Sequence, residues 1–245
     1  MKIELIVSCY NEEFLLPFFL KHYWSFADRI VFLFGFDSTD KSKEIIEKAM
    51  ADSKANGGPE IVLVDGTEMG GINDRTRIDR INFYYKISQA DWCVLLDVDE
   101  FLLLDREYLE NIPLPYNYLS AKVLQVHPHV NDKPLDINIP VQKQRRHGYW
   151  YNTGRPVILR TKQKLDMEIG KHSIFGTCHQ YPEQPIMLHW QMADRAMALN
   201  RRLNNRKNRF SQTNLTHNWG WHEVQSTEEI LNKEFDDHAH DLIII

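Results

Sequence analysis

A short apolar run, Trp92-Cys93-Val94-Leu95-Leu96, ends abruptly in Asp97-Val98-Asp99-Glu100-Phe101. An unbroken apolar run of this length suits a strand buried on both faces, as in a parallel sheet. Open α/β sheets place ligand sites at the carboxyl ends of their strands. Carboxylates gathered there repel one another unless a cation lies among them. An oxygen-rich set suits Mg²⁺ or Mn²⁺ shared with substrate phosphates. Asp97 and Asp99 are therefore the expected metal ligands, with Glu100 as a further ligand or as support behind them. The triplet alone fits a solvated acidic loop equally well, because D-x-D patterns arise easily by chance.

The preceding residues favour the sheet. Lys2 to Ser8 reads as a first strand, and an apolar-rich stretch from Phe14 to Trp24 follows Asn11-Glu12-Glu13. Asn11 is the expected N-cap, with Glu12 and Glu13 in the first turn. Arg29 to Phe34 is a second strand, running into Gly35-Phe36-Asp37-Ser38-Thr39-Asp40. A helix from Lys41 to Ala55 is stopped by Asn56-Gly57-Gly58-Pro59. Glu60 to Val64 is a third strand, and a helix over Asn73 to Ser88 leads to the strand that ends at Asp97. Such alternation predicts an α/β fold: a parallel sheet with helices on both faces.

In this order the motifs resemble family 2-type glycosyltransferases of GT-A fold, in the branch whose acidic motif reads D-x-D-E-F. Asn11-Glu12-Glu13 resembles the branch's N-E-E, and Ser38-Thr39-Asp40 its S-T-D. Asn82 lies fifteen residues before Asp97, where related enzymes carry Asn. Asp91-Trp92 and Asp97-Val98-Asp99-Glu100-Phe101 match best. The resemblance covers roughly residues 1–105, and it departs at Gly35, where the family's D-N-x-S-T-D has its first acid; Asp37 is the nearest carboxylate. It implies a Rossmann-like, mostly parallel GT-A sheet in one domain over 1–245. Residues 1–105 would be the nucleotide-sugar-binding half, and 106–245 an acceptor-side half with C-terminal helices. It also implies donor contacts from Cys9, Asn11, Glu12, Asp37, Asn82 and Asp97.

Composition sets the class. With 43% hydrophobic and 26% charged residues the chain can bury an ordinary core. A net charge of −5 argues against general nucleic-acid binding. Three scattered cysteines, Cys9, Cys93 and Cys178, suit reduced thiols rather than a disulfide frame. The chain shows neither the basic-then-apolar pattern of a signal peptide nor an apolar run of membrane-span length. The expected compartment is the cytoplasm.

The second half is less periodic. Tyr118 to Val126 and Pro156 to Thr161 read as strands, and Ile186 to Trp190 as a short one. Two-histidine metal binding at His127 and His129 is weighed against plain solvation. Gly154-Arg155-Pro156, Gly170-Lys171-His172 and His189-Trp190 match further positions of the resembling branch. GT-A enzymes often close their metal site with a late His, so His189, and after it His172, join the expected ligand set. Packing beside Trp190 is the competing reading of His189. His217 and His222, around Trp219 and Trp221, fit an acceptor pocket or a surface loop. Ala193 to Phe210 reads as a basic helix; its face is either solvated or a peripheral contact, through 195–209, with the inner face of a membrane, where each basic residue contributes about 1 kcal/mol.

The expected chemistry is metal-dependent transfer of a sugar from a nucleotide donor, UDP by preference, to a glycan or lipid-linked acceptor in polysaccharide biosynthesis, with inversion. Asp97 and Asp99 would hold the ion that neutralises the leaving diphosphate. Asp166 and Glu168 are the candidate bases for the acceptor hydroxyl. The competing classes are a nucleotidyltransferase of similar fold and a non-catalytic sugar-binding module. The former usually needs a Gly-rich basic loop after strand one, where this chain has the acidic Ser8-Cys9-Tyr10-Asn11-Glu12-Glu13.

Overall fold

Strand and helix alternate through the first half as the apolar periodicity predicts. The computed structural model describes residues 1–68, 71–151, 154–163 and 165–240; the side chain of residue 222 also lies outside the described set. The order is β1 (Ile3–Cys9), α1 (Leu16–Tyr23), β2 (Arg29–Phe34), α2 (Ser42–Asn56), β3 (Glu60–Asp65), α3 (Asp74–Ile87) and β4 (Trp92–Asp97). Next come β5 (Glu100–Leu103), α4 (Arg106–Glu110), β6 (Tyr118–His127), β7 (His147–Trp150) and β8 (Arg155–Arg160). The chain continues through the short strands β9 (Asp166–Met167) and β10 (Ile174–Phe175) to β11 (Ile186–His189). Four helices follow: α5 (Arg195–Leu199), α6 (Gln212–His217), α7 (Trp221–Val224) and α8 (Glu228–His238).

A nine-stranded sheet runs β3-β2-β1-β4-β8-β6-β11-β5, with β7 beside β6. The strands β3, β2, β1 and β4 are parallel, β8 is antiparallel to β4 and β6, β11 is parallel to β6, and β5 is antiparallel to β11. The sheet is thus mostly parallel and Rossmann-like, with residues of both halves in it. Val98 and Asp99 alone separate β4 from β5, a link that spans at most about 11 Å. Four lateral steps between those strands would need about 19 Å in a flat sheet. The sheet must curl, and the acidic turn sits where the curl brings β4 and β5 together.

Side-chain alternation builds the two faces. Leu5, Val7, Val94 and Leu96 join the core against α1 and α2, around Phe19, Phe32, Phe101 and Trp190. Ile6, Cys93 and Leu95 face the other way, onto Ile78, Ile81 and Tyr85 of α3. Gly57 ends α2 in the left-handed region (φ 74°), as the Asn-Gly-Gly-Pro stop predicts. Asn73 caps α3 by accepting from Thr76 N–H.

Two local expectations change. Asn11 is not an N-cap; α1 starts at Leu16, and Asn11 adopts a positive φ of 51°. The basic helix expected over 193–210 is shorter: α5 passes into a π-helical turn over Asn200–Arg206. Arg201 and Arg202 there are buried, so much of the charge faces inward rather than toward solvent or lipid. Among the described residues no helix is long and apolar enough to cross a membrane.

Candidate active site

The N-E-E and S-T-D motifs meet at the carboxyl ends of β1 and β2. Thr39 N–H donates to Asn11 Oδ1 (2.8 Å), and Glu12 N–H to Ser42 Oγ (2.7 Å). Glu13 N–H donates to Asp40 Oδ2 (2.9 Å), and Lys41 N–H to Glu13 Oε2 (3.0 Å). Asn11 and Glu13 thus brace the loops, while the Glu12 side chain points into the site.

The acidic turn is held from both sides. Asp97 N–H donates to Glu100 Oε2 (2.8 Å), and Trp190 N–H to Asp99 O (2.7 Å). The β11–β5 register sets His189 opposite Glu100. His189 Nε2 lies 3.7 Å from Asp99 Oδ2. Residues of the two halves therefore do converge.

Side-chain cations fill this cluster. Lys171 Nζ reaches Asp97 Oδ2 at 2.9 Å and Glu100 Oε2 at 3.0 Å. Arg155 donates to Glu100 Oε1 (2.5 Å). Arg201 donates to Asp99 Oδ2 (2.8 Å) and to Glu12 Oε1 (2.6 Å), and Arg206 stands 4.0 Å from Glu12. Four carboxylates, Asp97, Asp99, Glu100 and Glu12, thus face four cations, Lys171, Arg155, Arg201 and Arg206. Burial would raise the Asp97 carboxyl, but Lys171 and Arg77 outweigh it and hold the group well below the usual carboxylate range. Asp99 is likewise held low by Arg201 and Arg206 against burial. At Glu12 burial wins, helped by Asp99, and pushes the carboxyl up to about 7 despite Arg201. Burial pushes His189 down to about 3, so its ring is neutral beside Asp99.

A pocket of about 260 Å³ opens against this cluster, over the carboxyl ends of β1 to β4. Cys9, Glu12, Asp37, Asp97 and His172 line it, as do Arg77, Arg80, Arg206 and Arg209. Cys9 is a neutral thiol there, raised by burial and then by Glu12. Two residues of the expected donor set lie elsewhere. Asn11 bonds Thr39, and Asn82 exchanges two hydrogen bonds with the Met167 backbone (2.8 and 3.0 Å), lining a neighbouring groove instead. Asp166 and Glu168 line that second groove, which shares Gly170 and His172 with the pocket. Asp166 pairs with Lys86, and Glu168 accepts from the Ser173 hydroxyl. His127 and His129, whose metal-pair reading is weighed against plain solvation, lie outside the site, His127 facing Glu234 across 3.5 Å and His129 stacked on His147.

Sequence reasoning missed the cations. Arg155 and Lys171 lay inside the motifs, and Arg201 and Arg206 inside the basic segment, but only their carboxylate partners carried a signal: the buried Glu12, Asp99 and Glu100 and the half-buried Asp97 demand basic partners.

The expected metal set fits poorly as it stands. Asp97 Oδ1, Asp99 Oδ1 and His189 Nδ1 are buried and lack a hydrogen-bond partner, which suits ligand atoms. Yet among the described residues no three His, Cys, Asp or Glu side chains gather as a ligand set. The other carboxylate oxygens already hold Lys171 and Arg201, and a dication would add two positive charges directly beside them.

No family model and no curated protein matches this chain. Among solved structures it is similar to HddC from Yersinia pseudotuberculosis, at 13% identity and TM-score 0.42, over 78% of this chain and 95% of that one. It is similar to S. aureus TarS 1-349 in complex with UDP, at 15% identity and TM-score 0.43, over 96% and 83%. It is also similar to the bifunctional IspDF from Campylobacter jejuni, at 14% identity and TM-score 0.33, over 66% and 42%. Likenesses this distant assign neither activity nor ligand to the chain.

Proposed function

We propose that the pocket binds the nucleoside diphosphate of a nucleotide-sugar donor, and that the chain transfers the sugar to an acceptor hydroxyl. One observation carries this reading: Arg77, Arg80, Arg206 and Arg209 line a pocket that ends on Asp97, at the carboxyl ends of four parallel strands. Arginine forks match phosphate oxygens in geometry and charge, and this edge of an α/β sheet is where such ligands bind.

As the anomeric carbon–oxygen bond breaks, negative charge grows on the leaving diphosphate. Fixed guanidinium groups in a partly dry pocket stabilise that charge without rearranging. Asp97 lines the pocket, and its Oδ1, which has no partner within the protein, is the acceptor offered to a sugar hydroxyl. The neighbouring groove, with Trp219 along it and Asp166 and Glu168 on its wall, is the place for a glycan or lipid-linked acceptor. One of those two carboxylates takes the acceptor proton, Glu168 after release from Ser173 or Asp166 after release from Lys86.

A turnover panel tests this. UDP-, GDP- and CDP-sugars are each incubated with the protein, and release of nucleoside diphosphate is followed with simple glycosides as acceptors. Release from one donor class is expected, UDP first. Pyrophosphate release from a nucleoside triphosphate and a sugar phosphate, with all donors intact, would identify a nucleotidyltransferase instead.

A further inference from the structure

The acidic turn carries the sequence signature of a metal site, but its cation positions are taken by the protein. Lys171 is 4% exposed, and its ammonium lies between Asp97 and Glu100. Its backbone is held at φ 58°, directly after Gly170 at φ 82°. A non-glycine residue rarely adopts this conformation, and it persists where surrounding contacts over-determine it. The left-handed pair Gly170-Lys171 turns the chain so that the ammonium points inward. Arg201 makes the matching bridge between Asp99 and Glu12 from a π-helical turn, another local distortion of a kind frequent at functional sites. Two irregular backbone segments thus deliver one cation to each aspartate. Arg77, Arg80 and Arg209 also line the pocket wall, held there by Asp74, the Thr67 carbonyl and Asp37, with their remaining N–H groups for phosphate.

We propose that Lys171 and Arg201 take the place of a divalent cation here, so that a nucleoside diphosphate binds without metal. The proposal rests on the donor-binding reading above and names its charge partner. A dication entering between Asp97 and Asp99 would meet an ammonium and a guanidinium already in contact with both, and like charges at that range are strongly unfavourable in a buried site. The diphosphate instead meets fixed positive charge along the arginine wall, with the aspartates neutralised beneath it.

Calorimetry of UDP and of GDP, in metal-free buffer with EDTA and again with Mn²⁺, gives the test. The expected dissociation constants agree within about threefold between the two conditions. Affinity that falls about tenfold or more in EDTA would overturn the proposal while leaving the donor-binding reading intact. Failure to bind either nucleotide in either buffer would overturn both. The variant Lys171→Met adds a readout that a merely structural lysine would not move. With the ammonium gone, Asp97 and Glu100 regain a cation vacancy, so nucleotide affinity should drop in EDTA and recover with Mn²⁺, while Lys171→Arg stays near wild type. No recovery of a folded Lys171→Met protein by Mn²⁺ would count against the substitution of ammonium for metal. The wild-type comparison stands even where the variant does not fold.

Discussion

Arg209 lies flat on Tyr10, its guanidinium carbon 3.3 Å from the ring centroid, and donates to Asp37 at 2.8 Å. Its backbone is strapped to the loop before α3, since Ile72 N–H donates to Arg209 O and Ser211 N–H to Ile72 O. The C-terminal segment thus forms one wall of the arginine-lined pocket of about 260 Å³. Arg209→Ala removes this wall contact without touching the acidic cluster. UDP affinity, followed by tryptophan fluorescence, should fall severalfold, because one guanidinium of the proposed phosphate wall is lost. The melting temperature should fall by the equivalent of about 0.5–2 kcal/mol, the range for a stacked cation. Unchanged UDP affinity would show that Arg209 takes no part in phosphate binding.

Tyr23 secures the far side of the cluster. Its buried hydroxyl donates to Glu100 O (3.0 Å) and accepts from Leu102 N–H (2.7 Å). Tyr23→Phe strands both backbone groups where water does not reach. Denaturant unfolding should show a loss of about 1–3 kcal/mol. A loss well under that range would mean that β5 finds other partners for these groups.

Glu12 sets a pH dependence of stability. Its carboxyl rises from 4.5 to about 7 on folding. Between those values the native protein keeps a proton that the unfolded chain has released, so stability must fall as pH rises through this window. The penalty is fully absent below the unfolded value and fully present above the folded one. At 1.36 kcal/mol per unit it approaches about 3 kcal/mol, an upper figure for a group so tightly paired. Glu12→Gln should flatten urea-derived stability across that window. A slope equal to wild type would assign the dependence to other groups.

The strands and helices of the first half were legible because a parallel sheet buries both faces, leaving apolar runs such as Trp92 to Leu96 between polar turns. The motifs N-E-E, S-T-D and D-x-D-E-F fall together at one sheet edge, but their spacing does not say which side chains brace a loop. Asn11 and Asn82 bind neighbouring backbone or side chains, a role that residue type alone cannot separate from ligand contact. Lys171, Arg155 and Arg201 were illegible because each reaches the cluster across at least fifty-five residues of sequence, from a left-handed turn, a strand and a π-turn. A basic segment read as a solvated or lipid-facing helix becomes an inward-facing one only when the buried acids are known to need partners.

His189 separates the metal and metal-free accounts. Its ring is buried at the end of β11, 3.7 Å from Asp99 and 6.2 Å from the Tyr151 ring, and burial pushes its pKa down to about 3, so it is neutral at neutral pH. The ring packs against the cluster beside an Asp99 carboxylate that Arg201 already holds at 2.8 Å. His189→Ala should therefore lower stability by about 1–3 kcal/mol, as truncation of a buried side chain does. UDP affinity measured in EDTA should stay within about threefold of wild type. Ligand-free melting and UDP titration of the same variant, each with and without Mn²⁺, decide the matter. Unchanged melting, together with nucleotide affinity lost only in the presence of Mn²⁺, would make His189 a ligand of a bound ion and return the acidic turn to metal chemistry.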